Sequence, residues 1–430
     1  MTVPKTMSQG RPLYGIPIDQ RPPMALSRWP AAIAFGIVFT LGHLTCHSVQ
    51  LFLIFGLAFP LRILCAPFGI GLGRRLHEAV VRYSKGCYAT LLILTGQWFA
   101  PTEITLSMEG DYLDPEKVLV RDASGRIVRL NLPSKLVVMS NHQVYSDWIY
   151  LWSLLYFSGH HRDVYIALKK SLKWIPIVGW AMQIFNFLFL ARSWVHDKAY
   201  LHRKLGQIGK HAEKSDNPLA LFIFPEGTLV SKDTRPLSKK YADKMGIPDN
   251  KYTLLPRSTG MQYALRALSP RVPDLYMLDA TVVYPGIPAM GYGQSYYTLR
   301  SIMFAGVPPP RVHVHLKLYH VKRDVPIGVL PSDGREAEVT EQERIAFEDW
   351  MRGKFDEKDV EFERYYATGS VADTKKSHII KGPRVENGDA NVHSPREIAL
   401  PLRLRSSWEI LDAFAFPGPA AWAFFTGQQV

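Results

Sequence analysis

The sequence predicts an α/β domain carried on N-terminal membrane-embedded helices, and three observations support that fold class. The runs KLVVMS, VYIALK, LALFIFPEG, LDATVVY and RVHVHLKLYHV read as strands, and helical patterns over residues 148–156, 174–185 and 197–213 alternate with several of them. The first four runs are apolar almost throughout, as expected of strands covered on both faces. Ahead of them, residues 29–61 contain no Lys, Arg, Asp or Glu, the composition of a membrane segment. The expected architecture is a mixed sheet flanked by helices.

Taken in order, residues 1–28 form a polar tail and residues 29–103 the membrane-embedded helices. As one helix the uncharged run would be roughly 50 Å long against a hydrocarbon core of about 30 Å. It is therefore expected to tilt or to break at HLTCH, residues 43–47, where polar side chains are costly in lipid unless buried against protein. Basic residues flank both ends, so charge does not decide its orientation. Residues 88–100 are too few to span comfortably and read as an interfacial or re-entrant helix, pairing with the first in a hairpin within one leaflet. The α/β domain is assigned to residues 104–366, and within it VLVRDASGRIVRL reads as a hairpin around an Asp-Ala-Ser-Gly turn.

In RVHVHLKLYHV, Val312, Val314, Leu316 and Leu318 face one way and His313, His315 and Lys317 the other. The polar set reads as a solvated sheet face rather than as a metal pair. TEQERIAFEDWMRGKFDEKDVEFERYY is an amphipathic helix with Ile345, Phe347, Trp350, Met351 and Phe355 as apolar anchors. Residues 367–405, polar and punctuated by Gly and Pro, are expected to be disordered. The apolar segment 406–430 is expected to lie on the membrane or on the domain.

A net charge of +13 implies an anionic partner. With 21 Phe, 20 Tyr and 10 Trp the composition suits a bilayer interface better than nucleic acid. Cys46, Cys65 and Cys87 lack disulfide or zinc spacing, so no metal site is expected and a reducing compartment is.

The chemistry concentrates in NHQVYSDWIYLW, which follows the strand KLVVMS. Side chains five apart in one helix would point about 140° away from each other. His142 must therefore sit in the turn before the helix if Asp147 is to reach its ring, the arrangement of a base held by its orienting acid. On spacing alone a buried His bonded to a nearby Asp is an equal reading. FPEGT places Glu226 and Gly227 directly after a buried strand, and Gly permits a tight turn that exposes backbone amides; a plain strand-ending turn fits as well. Arg192 in FLFLARSW, taken alone, reads as a solvated side chain.

Together, Asn141-His142-x-x-x-x-Asp147, Phe189-Leu190-Ala191-Arg192, Phe224-Pro225-Glu226-Gly227-Thr228 and Leu255-Pro256-Arg257 occur in the order of four motif blocks. The chain resembles the glycerolipid acyltransferase family, which contains the 1-acyl-glycerol-3-phosphate acyltransferases. The resemblance covers roughly residues 88–366, and NHQVYSDWIYLW, LKKSLKWIPIVGWAMQ and KYTLLPRSTG look like the lysocardiolipin acyltransferase-like branch. Ala191 stands where relatives often carry Lys or another polar residue.

The resemblance implies the glycerolipid acyltransferase fold and transfer of an acyl chain from acyl-CoA to the free hydroxyl of a lysophospholipid, of the lysophosphatidic acid or lysophosphatidylinositol type. It implies His142 as general base, Asp147 as its orienter, and the amides of Gln143 and Val144 as oxyanion donors. Asn141, Arg192, Glu226, Gly227, Thr228, Pro256 and Arg257 would bind the acceptor, with Glu226 accepting a glycerol hydroxyl or orienting Arg192. Lys169, Lys170 and Lys173 are candidates for the CoA phosphates, or equally a solvated basic face. No cofactor is expected beyond acyl-CoA as co-substrate. Membrane lipids are expected partners, nucleic acid is not, and the expected location is the endoplasmic reticulum or a mitochondrial membrane. Two alternatives stand beside this reading: a non-catalytic lipid-binding or membrane-shaping protein, and a lipid hydrolase, which the lack of a Gly-x-Ser-x-Gly elbow disfavours.

Overall fold

The computed structural model describes residues 7–8, 10–330, 339–380 and 394–416. Its centre is an eight-stranded sheet of β1 Glu103–Glu109, β2 Lys135–Ser140, β3 Val164–Lys169, β4 Leu188–Leu190, β5 Leu219–Ile223, β6 Tyr276–Val283, β7 Arg311–His320 and β8 Ile398–Pro401, in the order β8-β1-β7-β6-β2-β5-β3-β4. The five strands from β6 to β4 run parallel, β7 is antiparallel to β6, and β1 is parallel to β7. Leu119–Arg121 and Ile127–Leu130 form the expected separate hairpin.

Helices cover both faces, which explains the unbroken apolar strands. They are α1 Trp29–Val49, α2 Phe59–Cys65, α3 Leu72–Phe99, α4 Asp147–Phe157, α5 Val178–Ile184, α6 Trp194–Lys214, α7 Arg235–Met245, α8 Ser258–Leu268, α9 Glu341–Thr368 and α10 Glu409–Ala413. Leu136, Val138, Ala220, Phe222 and Val282 belong to the core cluster that includes α3 and α4 residues such as Leu92 and Trp152. The alternate positions Val137, Met139, Leu221 and Met277 join Leu205 of α6, Leu265 of α8 and Phe347, Met351 and Phe355 of α9. Each such side chain contributes about 1.5–3 kcal/mol by leaving water. Ile345, expected among the α9 anchors, is instead 44% exposed.

The helix does not break at residues 43–47. α1 continues through a π-helical stretch, Gln50–Ala58, into α2. Both histidines face protein rather than lipid, which removes the reason for a break: His43 is buried against the Tyr88 ring with Nδ1 at 2.7 Å from the Phe39 carbonyl, and His47 Nε2 lies 2.9 Å from the Ile177 carbonyl. Leu26–Phe68 is the one helix among the described residues long and apolar enough to cross a membrane. Its outer face exposes Ile33, Ile37, Leu41, Phe52 and Phe55. α3 returns alongside it as the second arm of a hairpin. Its residues 88–94 are buried in the protein rather than interfacial, because α4 and the sheet close over them.

Two further expectations are corrected. The polar face of β7 is covered rather than solvated: His315 is buried, its Nδ1 2.8 Å from Ser107 Oγ, and Lys317 Nζ lies 2.8 Å from Glu357 and 2.7 Å from Glu361 of α9. Lys358 of α9 likewise bonds Asp279 of β6. Alternation reports which residues share a face; it cannot report that a helix brings matching charge to it. In the expected disordered tail, Ile398–Pro401 pairs with β1 as β8 and buries Leu400, while residues 381–393 lie outside the described residues. Of the C-terminal segment, α10 packs on α3 through Ala413, Leu91 and Leu94, and residues 417–430 lie outside the description. Residues 10–28 lie on the domain, with Arg21 Nη2 donating to the Tyr296 carbonyl at 2.6 Å and Arg28 Nη2 to that of Phe99 at 2.8 Å.

Candidate active site

Chain segments leaving the C-terminal ends of β2, β5 and β4 build the site, as open parallel sheets commonly do. The β2–β6 pairing ends at Ser140 and Ala280, and the Asn141 side chain extends it. Its Nδ2 donates to the Val282 carbonyl at 2.9 Å, and its Oδ1 accepts from the Val282 amide at 2.8 Å. The sequence suggested substrate contact for Asn141. The buried amide is instead committed to the backbone, where it fixes the point at which the chain leaves the sheet.

The chain then turns, and α4 begins at Asp147 itself. His142 thus stands in the non-helical turn that its spacing required, and its Nδ1 lies 2.8 Å from Asp147 Oδ2. A carboxylate there makes Nδ1 the protonated nitrogen, and Nε2 has no partner among the described residues. Asp147 Oδ2 also accepts from the amides of Gln143 at 2.8 Å and Val144 at 3.1 Å. Those amides were the expected oxyanion donors; they are committed to holding the acid. The other oxygen, Oδ1, accepts from the Tyr284 hydroxyl at 2.6 Å. Burial, and then the Asp147 carboxylate, push the Tyr284 phenol well up, so it serves as a donor.

His142 is fixed from three further directions. Its ring stacks on Phe224 with centroids 4.5 Å apart, its amide donates to Glu226 Oε1 at 2.6 Å, and its carbonyl accepts from the Val230 amide at 3.2 Å. Glu226 Oε2 accepts from the Leu254 amide at 2.9 Å. Glu226 therefore joins the His142 turn to the segment before Pro256; it is buried, and among the described residues it bonds these two amides rather than Arg192. Burial pushes its carboxyl up to about 8 against the two amide bonds that lower it.

The next segment carries positive charge. The Arg257 amide donates to the Pro225 carbonyl at 2.8 Å, and the Arg257 side chain lies over Gly227, whose φ is +69°. Thr228 and Pro256 are half-buried beside it. Arg192, just beyond β4, has φ +65°, a conformation that residues other than Gly seldom adopt. Asp197 in the first turn of α6 holds it there by accepting from the amides on either side, Ala191 at 2.8 Å and Ser193 at 3.1 Å. The loop withdraws part of the Arg192 guanidinium from water, which lowers its pKa from the ordinary value, and the like charge of Arg257 lowers it further. Neither guanidinium has a carboxylate or carbonyl partner among the described residues. Two adjacent cations without counterions suit an anion such as phosphate.

The structure thus unites His142, Asp147, Glu226, Gly227 and Arg257, with Arg192 beside Arg257. Lys169, Lys170 and Lys173 lie further out, at the end of β3 and in the 3-10 turn after it, with Lys173 Nζ 5.2 Å from the Trp174 ring centre. No group of three or more His, Cys, Asp or Glu residues among those described could hold a metal ion. Sequence reasoning missed the roles of Tyr284, Phe224 and Asp197. Tyr284 follows strand β6, but which strand neighbours β2 is not written in the sequence. Asp197 gave no signal because the helix was expected to begin at residue 197 itself, whereas it begins at Trp194 and leaves Asp197 in its first turn, facing back to the Arg192 loop.

The acyltransferase family model matches residues 127–285. The 2-acyl-1-lysophosphatidylinositol acyltransferase of Saccharomyces cerevisiae is 34% identical over 311 residues, covering 65% of this chain and 74% of that one. Lysocardiolipin acyltransferase 1 of Gallus gallus is 31% identical over 244 residues, 57% of each chain. The crystal structure of the 1-acyl-sn-glycerophosphate acyltransferase PlsC from Thermotoga maritima is 14% identical, covers 76% of this chain and 98% of that one, and superposes with a TM-score of 0.34.

Proposed function

The chain belongs to the acyltransferase family, and on that premise we propose that it transfers a fatty-acyl chain from acyl-CoA to the free hydroxyl of a lysophospholipid, at a membrane of the endoplasmic reticulum or mitochondrion. The observation that carries the proposal is the His142–Asp147 pair at 2.8 Å, with Nε2 of His142 left unbonded.

A neutral alcohol is a poor nucleophile toward a thioester. As the acceptor oxygen attacks the carbonyl carbon, His142 Nε2 takes the hydroxyl proton, a step usually worth 10² to 10⁴-fold in rate. Asp147 holds Nδ1 and stabilises the imidazolium that forms. When the tetrahedral adduct collapses, the C–S bond breaks and His142 returns the proton to the departing CoA sulfur. The product is a diacyl phospholipid plus free CoA, and His142 is neutral again. Because Gln143 and Val144 are bonded to Asp147, the oxyanion donor belongs outside this turn.

Arg192 and Arg257 suit the acceptor phosphate, with Gly227 giving Arg257 room to lie close to the His142 turn. The likeness to a lysophosphatidylinositol acyltransferase supports a phosphodiester acceptor. Purified protein in lipid, given radiolabelled acyl-CoA and a panel of lysophosphatidic acid, lysophosphatidylinositol and lysocardiolipin, tests the reading. It expects label in at least one diacyl product; release of free fatty acid alone would indicate a hydrolase, and no turnover a binding protein.

A further inference from the structure

The stretch from Lys169 to Val195 carries a surface that the chemistry does not use. Trp174 is 74% exposed, Trp180 56% and Val195 85%, and Ile175 and Trp194 are exposed beside them. Soluble surfaces seldom present so many large apolar side chains in one short stretch, and such a patch marks a contact. Positive charge is interleaved with it: Lys169 and Lys170 are exposed, and Lys173 lies over the Trp174 ring. Lys204 of α6 bonds Asn186 in the same stretch at 3.4 Å, and its pKa is lowered by burial and then by Arg203 and Lys173, so these cations share one neighbourhood.

This surface adjoins the apolar helix Leu26–Phe68. His47 of α1 bonds the Ile177 carbonyl at 2.9 Å and meets the Trp180 ring at 6.0 Å, and Ile184 packs against Ile54 in the π-helical stretch. Aromatic residues backed by lysines, continuous with a hydrocarbon-seeking helix, are the composition of the headgroup layer.

We propose that residues 169–195 form a docking shelf for an anionic phospholipid bilayer, with Trp174 and Trp180 seated at the level of the headgroups and Lys169, Lys170 and Lys173 facing lipid phosphates. The three lysines, expected from the sequence to hold CoA, are assigned to the bilayer instead. Arg192 lies in this stretch, so the shelf places the acceptor-phosphate site at the membrane surface, from which a lysolipid can engage Arg192 with its acyl chain still in lipid. The inference rests on the membrane reading of Leu26–Phe68 and is independent of the transfer chemistry.

The test uses the full chain in nanodiscs whose lipids carry brominated acyl chains, which quench nearby tryptophans. The expected result is that Trp174→Phe and Trp180→Phe each remove part of the quenchable emission, and that the wild-type effect is larger in phosphatidylserine-containing discs than in purely zwitterionic ones. The combined variant Lys169→Gln, Lys170→Gln, Lys173→Gln should lose that difference. Quenchable emission unchanged in both Trp variants would overturn the shelf. A Lys variant that keeps its lipid-charge dependence but has a raised acyl-CoA KM would return the lysines to CoA and overturn the anionic assignment. Circular dichroism of each variant checks that the fold is intact, and carbonate extraction of wild type separately reads the anchor.

Discussion

The Tyr284 hydroxyl donates to Asp147 Oδ1 at 2.6 Å, so the acid that orients His142 is itself held from the residue that follows strand β6, 137 residues further along the chain. Asp147 has four donors on two oxygens, and only one of them is His142. A carboxylate fixed this way cannot rotate to release the imidazole.

Tyr284→Phe tests that relationship. It removes the donor to Oδ1 and leaves the ring packing, so Asp147 should gain freedom while the substrate sites stay intact. We expect kcat to fall roughly tenfold, the equivalent of a hydrogen bond worth about 1.4 kcal/mol, with acceptor and acyl-CoA KM unchanged. A rise in both KM values at constant kcat would make Tyr284 a packing residue only.

The phosphate assignment is read from KM. Arg192 is proposed to grip a group present in ground and transition states alike, so Arg192→Ala should chiefly raise acceptor KM. Arg192→Lys should recover only part of the affinity, since a planar guanidinium can hold two oxygens and an ammonium cannot. An unchanged acceptor KM for every phosphorylated lysolipid would move the phosphate site to Arg257 alone.

Glu226 predicts a pH dependence. Its folded value of about 8 lies above its ordinary 4.5, so between those values the folded chain keeps a proton that the unfolded chain has lost. Stability from this group is present below pH 4.5 and is lost as pH rises toward 8. Glu226→Gln should abolish that slope in Tm against pH. It should also cost about 1–3 kcal/mol at low pH, because a Gln amide group cannot accept from one of the two backbone N–H groups. A variant whose Tm falls with pH as steeply as wild type would show that another group sets the slope.

The buried Lys358–Asp279 pair predicts a stability effect away from the chemistry. Lys358→Met leaves Asp279 without its cation between α9 and the sheet, which should destabilise by about 3–5 kcal/mol. Chemical denaturation measures it; a loss under 1 kcal/mol would mean that water reaches Asp279.

Much of this arrangement was legible before the fold. The alternation of strands and helices, the turn position of His142 and its partner Asp147 followed from spacing and helix geometry. What the sequence did not disclose was occupancy. The amides of Gln143 and Val144 are taken by Asp147 within the turn itself; Asn141 and Glu226 have the right chemistry to touch substrate, yet their backbone partners appear only when distant segments are brought together. Tyr284 was invisible for the same reason. The buried charges of β7 were misread because their partners, Glu357 and Glu361, lie 40 or more residues away on α9.

The central claim is that His142 is the base for acyl transfer, and the direct measurement is single-turnover transfer from radiolabelled acyl-CoA to the accepted lysolipid by His142→Ala in lipid. The account predicts normal protein level, membrane association and acceptor binding, with the rate of diacyl product formation lowered by roughly 10²-fold or more. Product formation at the wild-type rate would contradict it.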